Sequence, residues 1–247
     1  MAVTYSKLKK LKKENLTIVL PTLNESQNII SIIKKLLKLK KIFNLEIIVV
    51  DDESKDGTAD LVRALSLSNK NINLIKRIGR FGLSSAIKEG VINASSKYIA
   101  ILDADGQHDP MEIEKAYKKL KSKNLDLVLG SRFIANSEIK GLSKRRKKGS
   151  EFANILARYS LAKNYRHLTD YMTGFFILNR DSCYRYIRSI EVDGFKFLYE
   201  LLSISKGKIL VEEIPLLFKP RLRGESKIEL AVLWDFIISF FHTISFR

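Results

Sequence analysis

Three oxygen-bearing side chains, Asp103, Asp105 and Gln107, stand at alternate positions directly after the apolar run Tyr98–Leu102. That run is too short for a helix and suits a fully buried strand. Alternate spacing lets the three side chains converge from one side of an extended turn. Hard oxygen donors of this kind suit Mg²⁺ or Mn²⁺, held through one or two carboxylates while substrate phosphates fill other positions. The same residues could instead form an acidic turn in front of a helix, for which Asp109 and Pro110 supply a cap and a first-turn proline. The position of other polar residues decides between the two readings.

Residues 16–20 (LTIVL) and 45–50 (LEIIVV) read as further buried strands, 72–75 as a short third and 125–129 (LDLVL) as a fifth. Between them, Ile29, Ile32, Ile33 and Leu36 repeat at helical spacing, with Asn24 and Gln27 ahead of them as a capping box. Residues 58–67, Leu83–Asn93 and 112–121 continue the alternation of helix with strand. This order predicts βαβ units and a mostly parallel sheet covered by helices on both faces. Polar or acidic residues follow three strands, at Asn24/Glu25, Asp51/Asp52 and Asp103/Asp105. Right-handed crossovers place these ends on one edge, where open α/β sheets bind ligands, and this favours a nucleotide and metal site.

Beyond Gly130-Ser131-Arg132 the alternation stops. Residues 133–149 are polar and contain the run Lys144-Arg145-Arg146-Lys147-Lys148, which reads as a solvated face or as a mobile loop that closes on a phosphate. A helix over 151–162, a strand over 171–178 with Gly174 at a close approach, a helix over 195–205 and a strand pair over 209–218 broken at Pro215 complete the pattern. Residues 228–246 are dense in apolar and aromatic side chains but include Glu229, Asp235 and His242. They fall short of a complete span and suit a core helix or, more readily, an interfacial helix or the start of a membrane segment.

The 247 residues carry a net charge of +17, so anionic partners are expected: nucleic acid, acidic headgroups or phosphorylated substrates. Basic clusters flank acidic strand ends and no nucleic-acid motif is present, so no nucleic-acid partner is expected. The single cysteine, Cys183, fits a reducing compartment and reads as a small buried hydrophobe. Three histidines leave little room for a multi-histidine metal site. The lysine-rich N-terminus reads as a solvated lead-in.

Five segments occur in order: Leu20-Pro21-Thr22-Leu23-Asn24-Glu25, Val49-Val50-Asp51-Asp52-Glu53-Ser54-Lys55-Asp56-Gly57, Asp103-Ala-Asp-Gly-Gln-His-Asp-Pro110, Gly130-Ser131-Arg132 and Arg221-Leu-Arg-Gly-Glu-Ser-Lys227. Together they resemble the inverting GT-A glycosyltransferases of family 2, and within them the dolichyl-phosphate mannose synthases. Arg223 departs from that pattern, which has an aromatic there. The resemblance implies a metal-dependent transfer of mannose from GDP-mannose to dolichyl (polyprenyl) phosphate, with UDP-glucose or another nucleotide sugar as the alternative donor. It implies that Pro21, Leu23 and Glu25 line the nucleotide pocket, that Val50 and Asp52 hold base and ribose, and that Asp103, Asp105 and Gln107 bind Mg²⁺ or Mn²⁺. It also places Arg132, Arg146 and Ser150 at the acceptor phosphate, and Arg221 and Lys227 on phosphate oxygens. The implied organisation is a basic lead-in (1–15), a GT-A catalytic domain (16–227) and an amphipathic membrane-interface segment or the start of a membrane helix (228–247). The expected setting is the cytoplasmic face of a membrane, with a membrane-anchoring partner subunit as a further candidate.

Overall fold

The computed structural model describes residues 13–79, 82–140, 144–190 and 197–220, leaving aside the side chains of 144–146. The lead-in up to residue 12 and the segment 221–247 lie outside the described residues, and so do Arg221, Arg223, Lys227 and the tail.

The apolar runs become strands of a seven-stranded sheet. They are β1 (Asn15–Thr22), β2 (Asn44–Asp51), β3 (Ile72–Lys76), β4 (Tyr98–Leu102), β5 (Leu127–Ser131), β7 (Phe175–Asn179) and β8 (Val211–Pro215), in the spatial order β3-β2-β1-β4-β7-β5-β8. Two short strands, β6 (Glu138–Ile139) and β9 (Leu217–Phe218), pair beside it. The sheet is parallel except for β7, which runs antiparallel to both β4 and β5. Successive side chains of a strand point to opposite faces, so Ile18, Leu20, Ile47, Val49, Ala100 and Ile177 join one core. Val19, Ile48, Val50, Ile99, Ile101 and Phe176 join the other. The first core packs on α1 (Ile29–Leu36), α2 (Thr58–Ser68) and α4 (Glu112–Ser122). The second packs on α3 (Leu83–Asn93), α5 (Lys144–Ser160), α6 (Arg180–Arg188) and α7 (Phe197–Ser205). The result is three layers, α/β/α.

Parallel register (Thr22↔Asp51, Val19↔Ile101, Ser131↔Pro215) brings the carboxyl ends of β1, β2, β4, β5 and β8 to one edge. Because β7 is reversed, its amino end reaches the same edge, with Phe175 opposite Leu102.

Several local expectations change. Asn24 does not cap α1: it sits at φ 52° and its Oδ1 accepts from Lys55 N, while the helix starts one turn later without a side-chain cap. Asp109 accepts the Met111 amide, but α4 begins at Glu112, so Asp109 and Pro110 form a turn ahead of the helix. The basic run 144–148 is not loop; it forms the first turns of α5. Lysine and arginine are good helix formers, and the buried positions Ala153 and Ala157 anchor the helix downstream.

Candidate active site

The loops after β1 and β2 are laced together by side chains from the segments expected to bind nucleotide. Ser54 Oγ donates to Asp51 Oδ2 (2.5 Å) and accepts from Asn24 N (2.7 Å). Asp56 Oδ2 accepts from Ser26 N (2.9 Å), and Thr58 Oγ1 accepts from Glu25 N (2.9 Å). Glu25 in turn accepts from Asn28 Nδ2 (2.8 Å). Pro21 and Leu23 lie along this edge, Pro21 in register with Val50. The Val50 side chain is wholly buried in the core, so Val50 meets the edge through its backbone. Asp52 is buried and braced: Arg77 Nη1 donates to Oδ1 (2.9 Å) and Gly82 N to Oδ2 (2.9 Å). Arg77 is itself held by Glu89 (3.1 Å) and Ser85 (2.6 Å). A cleft of about 430 Å³ opens beside it, lined by Glu53, Ser54, Lys55, Gly57, Lys76 and Arg77.

Asp103, Asp105 and Gln107 do share the turn after β4. Gly106, at φ 78°, bends that turn, and Asp105 Oδ1 accepts the Gln107 amide N–H (3.0 Å). The turn is strapped to the segment after β9: Lys219 N donates to Gln107 O (2.9 Å), Gln107 Nε2 donates to Lys219 O (3.2 Å), and Lys219 Nζ pairs with Asp109 (2.9 Å). With its Nε2 so committed, Gln107 presents Oε1 as its acceptor. The space around Asp103 exists because residue 174 is glycine; a Cβ there would lie 1.9 Å from Asp103 Oδ2. Two carboxylates and an amide oxygen are the donor types that fit a hard divalent cation. Among the described residues, no group of three or more histidine, cysteine or carboxylate side chains is placed to hold a metal.

Arg132, just past β5, is only 10% exposed along its side chain and is gripped bidentately by the fully buried Asp170 (Nε 2.7 Å, Nη2 2.8 Å). Burial works against its charge, but Asp170 and Asp103 outweigh it and raise its pKa. Arg132 therefore lies within electrostatic reach of the aspartate turn. Ser150 sits partly exposed on α5; Arg146 lies on the same helix, its side chain outside the described set.

Sequence reasoning did not single out Asp170, Glu213 or His108. Burial pushes His108 down to about 4, so it is neutral at pH 7. It packs between Phe175 (5.7 Å) and Phe218 (5.2 Å), and its Nδ1 has no hydrogen-bond partner among the described residues. The available signal for Glu213 was an acid inside the apolar strand 209–218. Asp170 lies in a stretch without periodicity and gave none.

Residues 17–187 match the family model described as glycosyl transferase family 2. The fold is of the GT-A kind, and the chain belongs to glycosyl transferase family 2. It is 33% identical to the dolichol-phosphate mannosyltransferase of Pyrococcus furiosus, over 90% of this chain and 61% of that protein. It is 30% identical to that of Saccharomyces cerevisiae, over 90% of this chain and 84% of the relative. In fold it resembles a glucosyl-3-phosphoglycerate synthase from Mycobacterium tuberculosis in complex with Mn²⁺ and UDP-glucose (TM-score 0.69, 18% identity, 94% of this chain and 79% of that one). It also resembles a mannosyltransferase from Pyrobaculum calidifontis in complex with GDP-Man and Mn²⁺ (TM-score 0.60, 20% identity, 87% and 59%).

Proposed function

We propose that this chain transfers mannose from GDP-mannose to dolichyl or another polyprenyl phosphate, with inversion at the anomeric carbon and with Mg²⁺ or Mn²⁺ as cofactor. The observation that carries the proposal is Arg132, locked by Asp170 beside the Asp103 turn, in a chain that aligns over 90% of its length with two dolichol-phosphate mannosyltransferases.

A phosphate acceptor needs no general base. Its oxygen is already anionic at pH 7, so nothing need remove a proton before attack. A phosphate lone pair forms the new bond to the anomeric carbon, the bond from that carbon to the diphosphate oxygen breaks, and the diphosphate leaves with its electron pair. The protein must align two anions and offset the charge on the leaving group. Asp103, Asp105 and Gln107 would hold the cation, which when bound supplies positive charge to the donor diphosphate. Arg132 would receive the acceptor phosphate, joined by Ser150 and Arg146, with Arg221 and Lys227 contributing phosphate contacts. The braced pair Asp52–Arg77 and the cleft beside Glu53 and Lys76 support a nucleotide seat at the ends of β2 and β3. The product test is direct: GDP-mannose and a short polyprenyl phosphate should give a mannosyl phosphate of inverted anomeric configuration. Retention, a covalent glycosyl-enzyme, or turnover of UDP-glucose in preference to GDP-mannose would contradict the reading.

An acceptor carried in lipid calls for a membrane contact, at the cytoplasmic face in this reading, with a membrane-anchoring subunit as a further partner. Support comes from α5, where Phe152, Ile155 and Tyr159 are 55%, 53% and 65% exposed along one stripe. The basic run 144–148 lies at the same helix's start. Apolar side chains beside cations suit attachment to an anionic bilayer. Among the described residues no helix is long and apolar enough to cross a membrane.

A further inference from the structure

We infer that Asp170 and Glu213 form a positioning pair whose task is to aim the Arg132 guanidinium at the acceptor phosphate, an inference that rests on the reading of Arg132 given above. Two of the three nitrogens of the guanidinium group, Nε and Nη2, are taken by Asp170, and the Arg132 backbone N–H donates to the same carboxylate (3.1 Å). Nη1 has no hydrogen bond among the described residues and remains as the donor edge. The guanidinium also lies near the rings of Phe133 (5.3 Å) and Phe218 (5.5 Å), which restrict its swing.

Asp170 is in turn held by β8. Glu213 Oε1 accepts both Thr169 N (2.8 Å) and Asp170 N (3.0 Å), and Glu213 Oε2 accepts Thr169 Oγ1 (2.9 Å). Thr169 Oγ1 meets Ser131 Oγ (2.6 Å), beside Arg132 in the chain, and Asn154 Oδ1 of α5 accepts the next amide, Tyr171 N (2.9 Å). Three consecutive backbone N–H groups, at 169, 170 and 171, are thus fixed by side chains from two different elements. Glu213 is 6% exposed and Asp170 fully buried. Burying two acids beside one arginine is a poor route to stability, because desolvation offsets much of the Coulomb gain. A rigid guanidinium beside the reacting anion gives the arrangement a use, since a displacement of about 1 Å can cost about 100-fold in rate.

The test is a double-mutant cycle on the full chain with Arg132→Ala, Asp170→Asn and the pair together. It reads kcat and KM for short polyprenyl phosphate and, separately, Mn²⁺-dependent GDP binding. Asp170→Asn should lower kcat/KM for the acceptor about 100-fold and leave GDP binding within about twofold. In the Arg132→Ala background it should add less than about threefold, because independent effects multiply and shared ones do not. A full second loss in that background, or near-normal kcat/KM for Asp170→Asn, overturns the pairing. Normal activity of Arg132→Ala alone overturns both the acceptor reading and this inference, and so tells the two failures apart. If Asp170→Asn does not fold, Glu213→Gln is run through the same cycle, because it keeps the shape and an oxygen acceptor. A loss of about fivefold that vanishes with Arg132→Ala supports the pairing; an equal loss in both backgrounds overturns it.

Discussion

Gly174 is the residue on which the Asp103 carboxylate depends for room. In Gly174→Ala the new methyl would lie 1.9 Å from Oδ2 and 2.3 Å from Cγ, so Asp103 must turn away. The expected outcome is a folded protein whose melting temperature no longer rises with Mn²⁺ plus GDP, since only ligands bound by the folded state stabilise it. A shift equal to wild type would remove Asp103 from the site. Asp56 offers a pH-dependent test of the loop lacing. Burial disfavours its charge, but the Thr58 hydroxyl and the Ser26 and Thr58 amides outweigh this and bring it to about 2. The unfolded chain then binds the proton more readily, so the stabilisation is whole above pH ~4 and is lost as pH falls toward 2. Asp56 is exposed to solvent, so about 1 kcal/mol is expected. Urea titrations of wild type and Asp56→Asn should converge from pH 4.5 to 2.5; a constant gap would contradict the assignment. At this scale the sequence exposed the residues with a local signature, such as the alternating oxygens of 103–107. It left Asp170 and Glu213 obscure, because Asp170 meets Arg132, and Glu213 meets Asp170, only across elements far apart in the chain.

The central strands should carry most of the fold's cooperativity. Ile101 in β4 is fully buried between β1 and β7. Ile101→Ala should cost about 3 kcal/mol, read as a lower urea midpoint with unchanged slope; a loss under about 1 kcal/mol would mean that the core collapses around the gap. The strands were legible because each is a short apolar run bounded by polar residues. The direction of β7 was not, since Phe175, Phe176, Ile177 and Leu178 look the same read either way and only pairing reverses them. The start of α5 was misplaced for a related reason: five adjacent cations repel one another in a loop or a helix alike, whereas their helix propensity and the anchor at Ala153 and Ala157 favour continuing the helix upstream.

For the molecule as a whole, the net charge of +17 and the apolar stripe of α5 should act together at a lipid surface. Co-sedimentation with vesicles containing anionic lipid should exceed that with neutral vesicles, weaken with salt, and fall when Phe152 and Ile155 are changed to serine. Equal binding to both vesicle types would sink the membrane reading. The central claim is that a cation held by Asp103, Asp105 and Gln107 serves mannose transfer onto an already anionic phosphate. The most direct measurement follows radiolabelled mannose from GDP-mannose into short polyprenyl phosphate, with EDTA, with Mn²⁺ restored, and with Asp105→Ala. Transfer should stop with EDTA, return with Mn²⁺ and be absent from a folded Asp105→Ala protein; undiminished transfer in EDTA or by that variant would contradict the account.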